Sequence, residues 1–301
     1  MASRIPQEFI NQVLSRTDII ELIQSRIKLT RRGQNHHGLC PFHQEKSPSF
    51  SANHSKQFYY CFGCGASGNA IGFIMQHDQL EFRDAVEYLA NQLGLELPVD
   101  DNDDNSILYK QLFTIMQEAN MYYQKQLRQS QDAKEYLIAR GLDGVIAKTF
   151  NIGYVPDGWH NLGQQFTTDQ QQQQLSQAGM LKEKSGRHYD TFRHRIMFPI
   201  RNTRGQVTGF GGRSIDQSTP KYLNSPETLI FHKNEELFGL YEAKLLNKQC
   251  ARLIVVEGYM DVISLHQFGI TQAVATLGTA INRNHIQKLL RYTNHVIFCF
   301  D

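Results

Sequence analysis

Apolar positions in the first third of the chain recur at helical spacing, with one β-like interruption. Ile5, Phe9, Ile10, Val13 and Leu14 form one such set, and Ile19, Ile20, Ile23 and Ile27 a second, which predicts two short N-terminal helices. Asp18 with Glu21 three positions later has the pattern of a capping box opening the second. Ser49-Phe-Ser and Gln57-Phe-Tyr-Tyr60 are β-prone runs joined by polar Asn53-His54-Ser55-Lys56, so a hairpin is expected there. Helical spacing returns at Phe73, Ile74, Leu80, Phe82, Val86, Leu89 and Leu93, and Gly94 ends it. Pro98 and the run Asp100-Asp-Asn-Asp-Asp-Asn105 read as a linker, because dense like charge cannot bury itself.

Beyond the linker, helices are expected from Ile107 to about Leu127 and over Ala133–Arg140, with Gly141 as the stop. Gln170–Gln174 reads as a solvated helix face or loop. From Phe192 the period becomes two: Ile196-Met-Phe-Pro-Ile200, a turn at Asn202–Gly205, then Val207–Phe210. The last fifty residues alternate strand and helix. Leu253–Val256 is a continuous apolar run, as a strand buried on both faces requires. Asp261–Gln267 reads as helix, Ala273–Thr276 as strand, Asn284–Arg291 as helix and Val296–Phe300 as a third strand. That βαβαβ order predicts a parallel sheet with right-handed crossovers. Asp301 directly follows the third strand, so the sheet is expected to have only begun at that point.

Composition narrows the class. Hydrophobic residues make up 41% and charged residues 20%, an ordinary globular balance, and no apolar run reaches the length of a membrane span. The N-terminal residues lack the apolar core of a signal peptide, so a cytoplasmic protein without membrane contact, and a monomer, is expected. Five cysteines, an odd number with three in metal spacing, argue against a disulfide framework; Cys250 and Cys299 read as small buried hydrophobes. The net charge of +2 hides an asymmetry: residues 181–233 hold ten Lys/Arg against four acids, and residues 81–104 one against eight. Residues 1–56 are basic as well. Two basic regions flanking an acidic one fit an anionic polymer as partner, although ordinary charged faces give the same count.

The sharpest chemistry lies in Cys40-Pro-Phe-His43 and Cys61-Phe-Gly-Cys64. Two ligand pairs with two intervening residues each make a closed tetrahedral zinc site, structural in kind, on the ends of the expected hairpin: a zinc ribbon. His36, His37 and His54 lie nearby but lack that regular spacing. Phe50, Phe58, Tyr59, Tyr60 and Phe62 crowd the ribbon near Lys46 and Lys56. About half should form its core, and the rest would offer a stacking platform for single-stranded nucleic acid. At the far end, Glu257 follows the first parallel strand and Asp301 the third, where hard carboxylates suit Mg²⁺ or Mn²⁺ if the strands are neighbours. Asp261 reads as a helix cap or a further ligand. Gly209-Phe-Gly-Gly212 is no P-loop; it is either a close approach to a nucleotide or a bulged strand. Arg193 and Arg195 alternate, so both would project from one strand face and share a phosphate, with Lys221, Asn224 and Lys233 on loops beside them.

Several of these segments together resemble bacterial replicative DNA primases of the DnaG type. Cys40-Pro-Phe-His-Gln-Glu-Lys-Ser-Pro-Ser-Phe50 and Tyr60-Cys-Phe-Gly-Cys-Gly65 are similar to that family's zinc ribbon. Arg193-His-Arg-Ile-Met-Phe-Pro-Ile200, Gly209-Phe-Gly-Gly-Arg213, Pro220-Lys-Tyr-Leu-Asn-Ser-Pro-Glu-Thr228 and Phe231-His-Lys233 resemble its polymerase core, and Val256-Glu-Gly-Tyr-Met-Asp261 the first motif of its Toprim fold. The resemblance implies an α+β multidomain chain: a zinc-ribbon domain over 1–98, an acidic linker over 99–106, a basic part of the core over 107–249, and a partial Toprim domain over 250–301. It implies synthesis of short RNA primers on single-stranded DNA from ribonucleoside triphosphates, with Zn²⁺ structural and Mg²⁺ or Mn²⁺ catalytic. Glu257 and Asp301 would belong to the acidic metal cluster. Arg193, Arg195, Arg213, Lys221, Asn224 and Lys233 would line the template and nucleotide groove. A replicative helicase would be a partner of the complete protein. The family's second Toprim motif reads Asp-x-Asp and this sequence stops at its first Asp, so little primer synthesis is expected from it alone. The competing readings are a phage or mobile-element primase and a non-enzymatic single-stranded DNA-binding module.

Overall fold

The structure is a computed structural model that describes residues 5–96, 104–184, 186–216, 218–247 and 250–300. The chain divides into two compact units, residues 1–106 and 107–301. The acidic linker reading falls largely on residues outside those described, and so does Asp301.

In the first unit, α1 (Gln7–Arg16) and α2 (Ile19–Gln24) precede a five-stranded antiparallel sheet, and α3 (Ala70–His77) and α4 (Phe82–Gln92) follow it. The Asp18 carboxylate accepts the N–H groups of Ile20 and Glu21 and so starts α2, as its position in the sequence required. The strands β1 (Thr30–Arg32), β2 (Asn35–Gly38), β3 (Phe50–Asn53), β4 (Phe58–Cys61) and β5 (Ser67–Gly68) pair in chain order. The β3–β4 hairpin was expected; β1 and β2 were not. Thr30–Gly38 is almost devoid of apolar residues, and its turn rests on Gly33 at φ +64°. Alternation along β3 and β4 sends Phe50, Ala52, Tyr59 and Cys61 inward, where Phe50 and Tyr59 stack at 5.3 Å between centroids. Val13, Ile19, Ile23, Phe73, Ile74 and Val86 complete this core. Arg26, at the end of α2, forms a two-bonded ion pair with Asp78 at 2.7 and 3.2 Å and also donates to Tyr88, tying α2 to α3 and α4.

Helix α5 (Asp104–Gln129) begins just before the boundary and runs on into the second unit, which continues with α6 (Gln131–Ala139), α7 (Gly144–Thr149), β6 (Gly153–Val155), α8 (Asn161–Gln165) and α9 (Asp169–Gln177). The glutamine run lies on α9, started by a capping box between Thr168 and Gln171. A polar hairpin, β7 (Leu181–Lys184) with β8 (Arg187–Asp190), leads to β9 (Arg195–Arg201), β10 (Val207–Ser214) and β11 (Tyr222–Asn224), which make an antiparallel sheet in the order β11-β10-β9-β6. The glycines at 209–212 sit inside β10 after an irregularity between Val207 and Gly209; the bulged-strand alternative is the right one. They are small because rings pack on them. A Cβ would fall 2.4 Å from the Tyr259 ring at Gly211, 2.8 Å from Phe192 at Gly212 and 2.9 Å from Phe231 at Gly209.

After α10 (Leu240–Leu246) come β12 (Leu253–Val256), α11 (Tyr259–Gln267), β13 (Ala273–Ala275), α12 (Arg283–Leu290) and β14 (Val296–Phe298). The three strands are parallel in the order β13-β12-β14, so the expected βαβαβ sheet is present with β12 at its centre. The architecture is mixed α/β behind a zinc ribbon, as the sequence implied. No helix among the described residues is long and apolar enough to cross a membrane.

Candidate zinc centre and nucleic-acid face

The second zinc knuckle is a turn held by a backbone hydrogen bond. Cys61 accepts the Gly65 N–H at 2.9 Å, and Gly65 takes φ +76°, which lets the chain fold under the metal side. The donor atoms of Cys40, His43, Cys61 and Cys64 all lie within 4.8 Å of one another. Cys40 and Cys64 bring their sulfurs to 3.8 Å, about what two tetrahedral Zn–S bonds of roughly 2.3 Å require. His43 turns Nδ1 toward Cys61 Sγ at 3.8 Å and its Nε2 toward Glu45 Oε2 at 3.2 Å. Glu45 Oε1 accepts the N–H groups of Cys40 at 2.7 Å and Ser49 at 3.1 Å, and its other oxygen takes the Ser49 hydroxyl. One carboxylate thus orients the histidine and braces the first knuckle, the outer-shell arrangement metal-bound imidazoles require. The Ser49 hydroxyl bond, ahead of the others, holds the Glu45 carboxyl below its usual range. Burial pushes the Cys40 thiol up to about 12. Burial acts the same way on Cys61, but hydrogen bonds from Ser49 and the Cys64 and Gly63 backbone outweigh it and hold that thiol at about 7. Three sulfurs and one imidazole in closed geometry fit zinc, which they bind as thiolates.

Of the five ribbon aromatics, Phe50 and Tyr59 are core, whereas Phe58, Tyr60 and Phe62 stand exposed, Phe62 at 75%. Tyr60 and Phe62 meet edge to face at 4.9 Å. His54 lies outside the quartet, paired with Asp18.

In the second unit a cleft of about 810 Å³ gathers Trp159, Lys182, Lys184, Arg187, Arg193 and Arg195, with His160, His188 and His194 between them. The Arg193 guanidinium lies 3.9 Å from the centre of the Trp159 ring and donates to the Asp190 carbonyl. The expected alternation of Arg193 and Arg195 on one strand face does not occur. β9 starts only at Arg195, and His194 at φ +50° breaks the strand geometry. Arg195 is 6% exposed and donates to the carbonyls of Pro220, Gly212 and Lys221 at 2.8, 3.2 and 3.3 Å. Burial, with Arg193 close by, lowers its pKa, against the pull of Asp216. The two arginines therefore share a cleft wall but do not stand side by side on an anion.

Arg213 is also buried: Nε donates to the Tyr136 hydroxyl at 2.6 Å, and the guanidinium lies 5.1 Å from the Tyr222 ring. It borders a recess of about 370 Å³ with Tyr136, Arg140 and exposed Lys221. Asn224 is tied at both ends of its amide, Nδ2 to the Leu277 carbonyl and Oδ1 from the Tyr259 hydroxyl, each at 2.7 Å. Lys233 is half-buried on the loop between β11 and α10. Sequence reasoning missed Trp159, Lys182, Lys184, Arg187, Tyr136 and Arg140. The surplus of cations over 181–233 and the chain's single tryptophan were the signals that could have found most of them.

Glu257 is exposed at the carboxyl end of β12. Asp261 accepts the Gly258 N–H at 3.0 Å and so caps α11, the first of its two readings. β12 and β14 are neighbours, with Val255 opposite Phe298, so the strand preceding Asp301 does run beside the one that ends at Glu257.

The solved structure of the Aquifex aeolicus primase, comprising zinc-binding and RNA polymerase domains, is 34% identical, covers 97% of this chain and 72% of its own, and superposes with a TM-score of 0.61. This chain belongs to the family of DnaG-type DNA primases. The family descriptions that match are "CHC2 zinc finger" over 5–105, "DNA primase catalytic core, N-terminal domain" over 122–244 and "Toprim domain" over 251–301. The DNA primase of Escherichia coli (strain K12) is 51% identical over 309 residues, covering all of this chain and 53% of the relative. The chain thus spans about half the length of the curated primases it matches. A DnaG primase catalytic domain solved bound to single-stranded DNA is 49% identical over 64% of both chains, with a TM-score of 0.62. Within this family the quartet is the zinc site of a CHC2 ribbon, and β12, β13 and β14 lie in the Toprim segment.

Proposed function

We propose that this chain is the zinc-ribbon and polymerase-core part of an enzyme that synthesises short RNA primers on single-stranded DNA from ribonucleoside triphosphates. The observation that carries the reading is the cationic cleft with Arg193 stacked on Trp159 in the same unit as the carboxylate-bearing end of a parallel sheet. Arg193, Lys182, Lys184 and Arg187 would contact template phosphates, and the exposed indole supplies a face on which a base can stack. Buried Arg195 and Arg213 shape the walls and lend them positive potential through their hydrogen-bonded frameworks. Lys221 and Lys233 would meet triphosphate oxygens, and Asn224 would border the same groove. Glu257, with Asp301, supplies hard oxygen donors, and a Mg²⁺ or Mn²⁺ ion held there would neutralise charge on the triphosphate. Asp261 serves as cap in this scheme. On the ribbon, Phe58, Tyr60 and Phe62 offer the template a second stacking surface. Work in the cytoplasm and a replicative helicase as partner belong to the same proposal.

The test separates binding from chemistry. Glu257→Gln, in a full-length chain, should abolish template-dependent primer synthesis and leave single-stranded DNA affinity unchanged. Arg193→Ala in the present chain should weaken DNA binding and reduce the slope of log affinity against log salt by about one. Primer synthesis that survives Glu257→Gln would instead support a non-enzymatic role for this acid.

A further inference from the structure

Helix α12 carries Asn282 at its N-cap and then His285 and Lys288 at steps of three, along one face. Each captures a backbone carbonyl of the same loop. His285 Nε2 lies 3.2 Å from the Lys233 oxygen, Asn282 Nδ2 donates to Asn234 at 3.1 Å, and Lys288 Nζ to Glu235 at 2.7 Å. Lys288 also pairs with the Glu236 carboxylate at 3.0 Å. From the other side, Glu227 Oε1 accepts the Lys233 N–H at 3.0 Å, and Oε2 lies 3.2 Å from His232 Nδ1.

Three consecutive carbonyls held by side chains of one helix is more restraint than a short connection needs. The central side chain is also a costly choice. His285 is fully buried, and its Nδ1 has no hydrogen-bond partner among the described residues. With Nδ1 unpartnered, the contact to Lys233 requires the tautomer protonated at Nε2. Lys233 is thereby pinned at both its N–H and its C=O, while its ammonium makes no hydrogen bond or ion pair among the described residues. A lysine pays heavily in rotamer entropy to hold a phosphate, and a fixed backbone removes part of the ordering needed on binding.

We propose that Glu227 and the α12 face centred on His285 are positioning residues, which aim the Lys233 ammonium at the phosphates of an incoming ribonucleoside triphosphate. This rests on the reading of Lys233 as a phosphate-facing residue. The experiment is calorimetric titration of the chain with ATP at fixed Mg²⁺, using Lys233→Ala, His285→Leu, His285→Gln and the Lys233→Ala/His285→Leu pair. Lys233→Ala should weaken ATP binding about tenfold, and His285→Leu about three- to fivefold. His285→Gln keeps an N–H donor at the same reach and should restore binding to within about twofold of wild type. In the Lys233→Ala background, His285→Leu should have no further effect. An equal loss with and without Lys233, or no loss, overturns the positioning role. No ATP binding by the wild-type chain, or none lost in Lys233→Ala, overturns the underlying reading of Lys233 instead. Should His285→Leu lower the melting temperature enough to obscure the titration, Glu227→Ala gives the same cycle from an exposed side chain.

Discussion

Replacing Gly63 by Ala adds one methyl group, and the zinc site leaves no room for it. The new Cβ would sit 2.6 Å from His43 Nε2, 2.8 Å from His43 Cε1 and 2.8 Å from Ser49 Oγ. The closest of these is roughly 0.8 Å inside ordinary van der Waals contact, so an atom must move. Neither neighbour is a loose chain end. The His43 ring has Cys61 on one side and Glu45 on the other, and Ser49 is bonded to Glu45 and Cys61. Gly63 itself is outside the left-handed region, so the backbone would accept alanine and the penalty falls on the ligand sphere. Losing outer-shell support of a metal-bound histidine typically costs 10- to 100-fold in affinity, about 1.4–2.7 kcal/mol. Competition against a chromogenic chelator measures that loss, and the Co²⁺-substituted spectrum reads the geometry. Gly72→Ala, whose Cβ comes no nearer than 3.7 Å to Asn69, is the control within the same unit. The double variant with Glu45→Gln should lose less than the sum of the single losses, since both act through His43. Zinc affinity within twofold of wild type and an unchanged Co²⁺ spectrum in Gly63→Ala would refute the reasoning.

Two further outcomes follow from the ion pairs. Burial alone would raise the Asp78 carboxyl, but hydrogen bonds from His77 and Arg26 bring it from 3.8 down to about 2. Its contribution to stability is therefore complete above the unfolded value and lost as pH falls through the folded one. The stability difference between wild type and Asp78→Asn should be level above pH ~5 and shrink toward pH ~2 in denaturant titrations; a difference independent of pH counts against the assignment. Arg201 pairs with buried Glu242, donates to the Thr149 carbonyl at 3.0 Å and lies over the Tyr241 ring, tying α7, β9 and α10 together. Arg201→Met strands that carboxylate and should cost about 3–5 kcal/mol, whereas Arg201→Met with Glu242→Leu should recover most of it in chemical denaturation.

What the sequence disclosed followed from signals that are local. Ligand spacing named Cys40, His43, Cys61 and Cys64 because a tetrahedral site needs only two tight turns and a hairpin. The apolar run Leu253–Val256 disclosed β12 because a central parallel strand buries both faces. Polar strands gave no such signal. The β1–β2 and β7–β8 hairpins carry Arg, His, Asn and Lys, so neither alternation nor hydrophobicity marks them, and the basic wall supplied by β7 and β8 was visible only as net charge. Arg195 misled for a different reason. Its partners, the carbonyls of residues 212, 220 and 221, arrive from distant segments, and a lone arginine in a strand pattern looks solvated until they are in place.

The glycines of β10 show how the acidic and basic halves of the second unit are brought into register. Tyr259 lies two residues after Glu257, stacks on Phe198 of β9 at 5.3 Å and 5°, and fills the space that a side chain at Gly211 would take. Its hydroxyl then reaches Asn224 at the end of β11, while the amide of Asn224 reaches back to Leu277 beyond β13. Burial raises the Tyr259 phenol far above its ordinary range, so it stays a neutral hydrogen-bond donor at any pH the fold survives. A ring packed this closely cannot slide without opening a void or meeting the β10 backbone. The exposed end of β12 at Glu257 is therefore set relative to the edge strand β11 by a rigid aromatic two residues away, and the loop carrying Lys233 is fixed to the parallel sheet of β12 through α12. Glycine at 211, tyrosine at 259 and asparagine at 224 act as one joint: they hold the carboxyl end of β12 in a fixed position relative to the strands β9, β10 and β11.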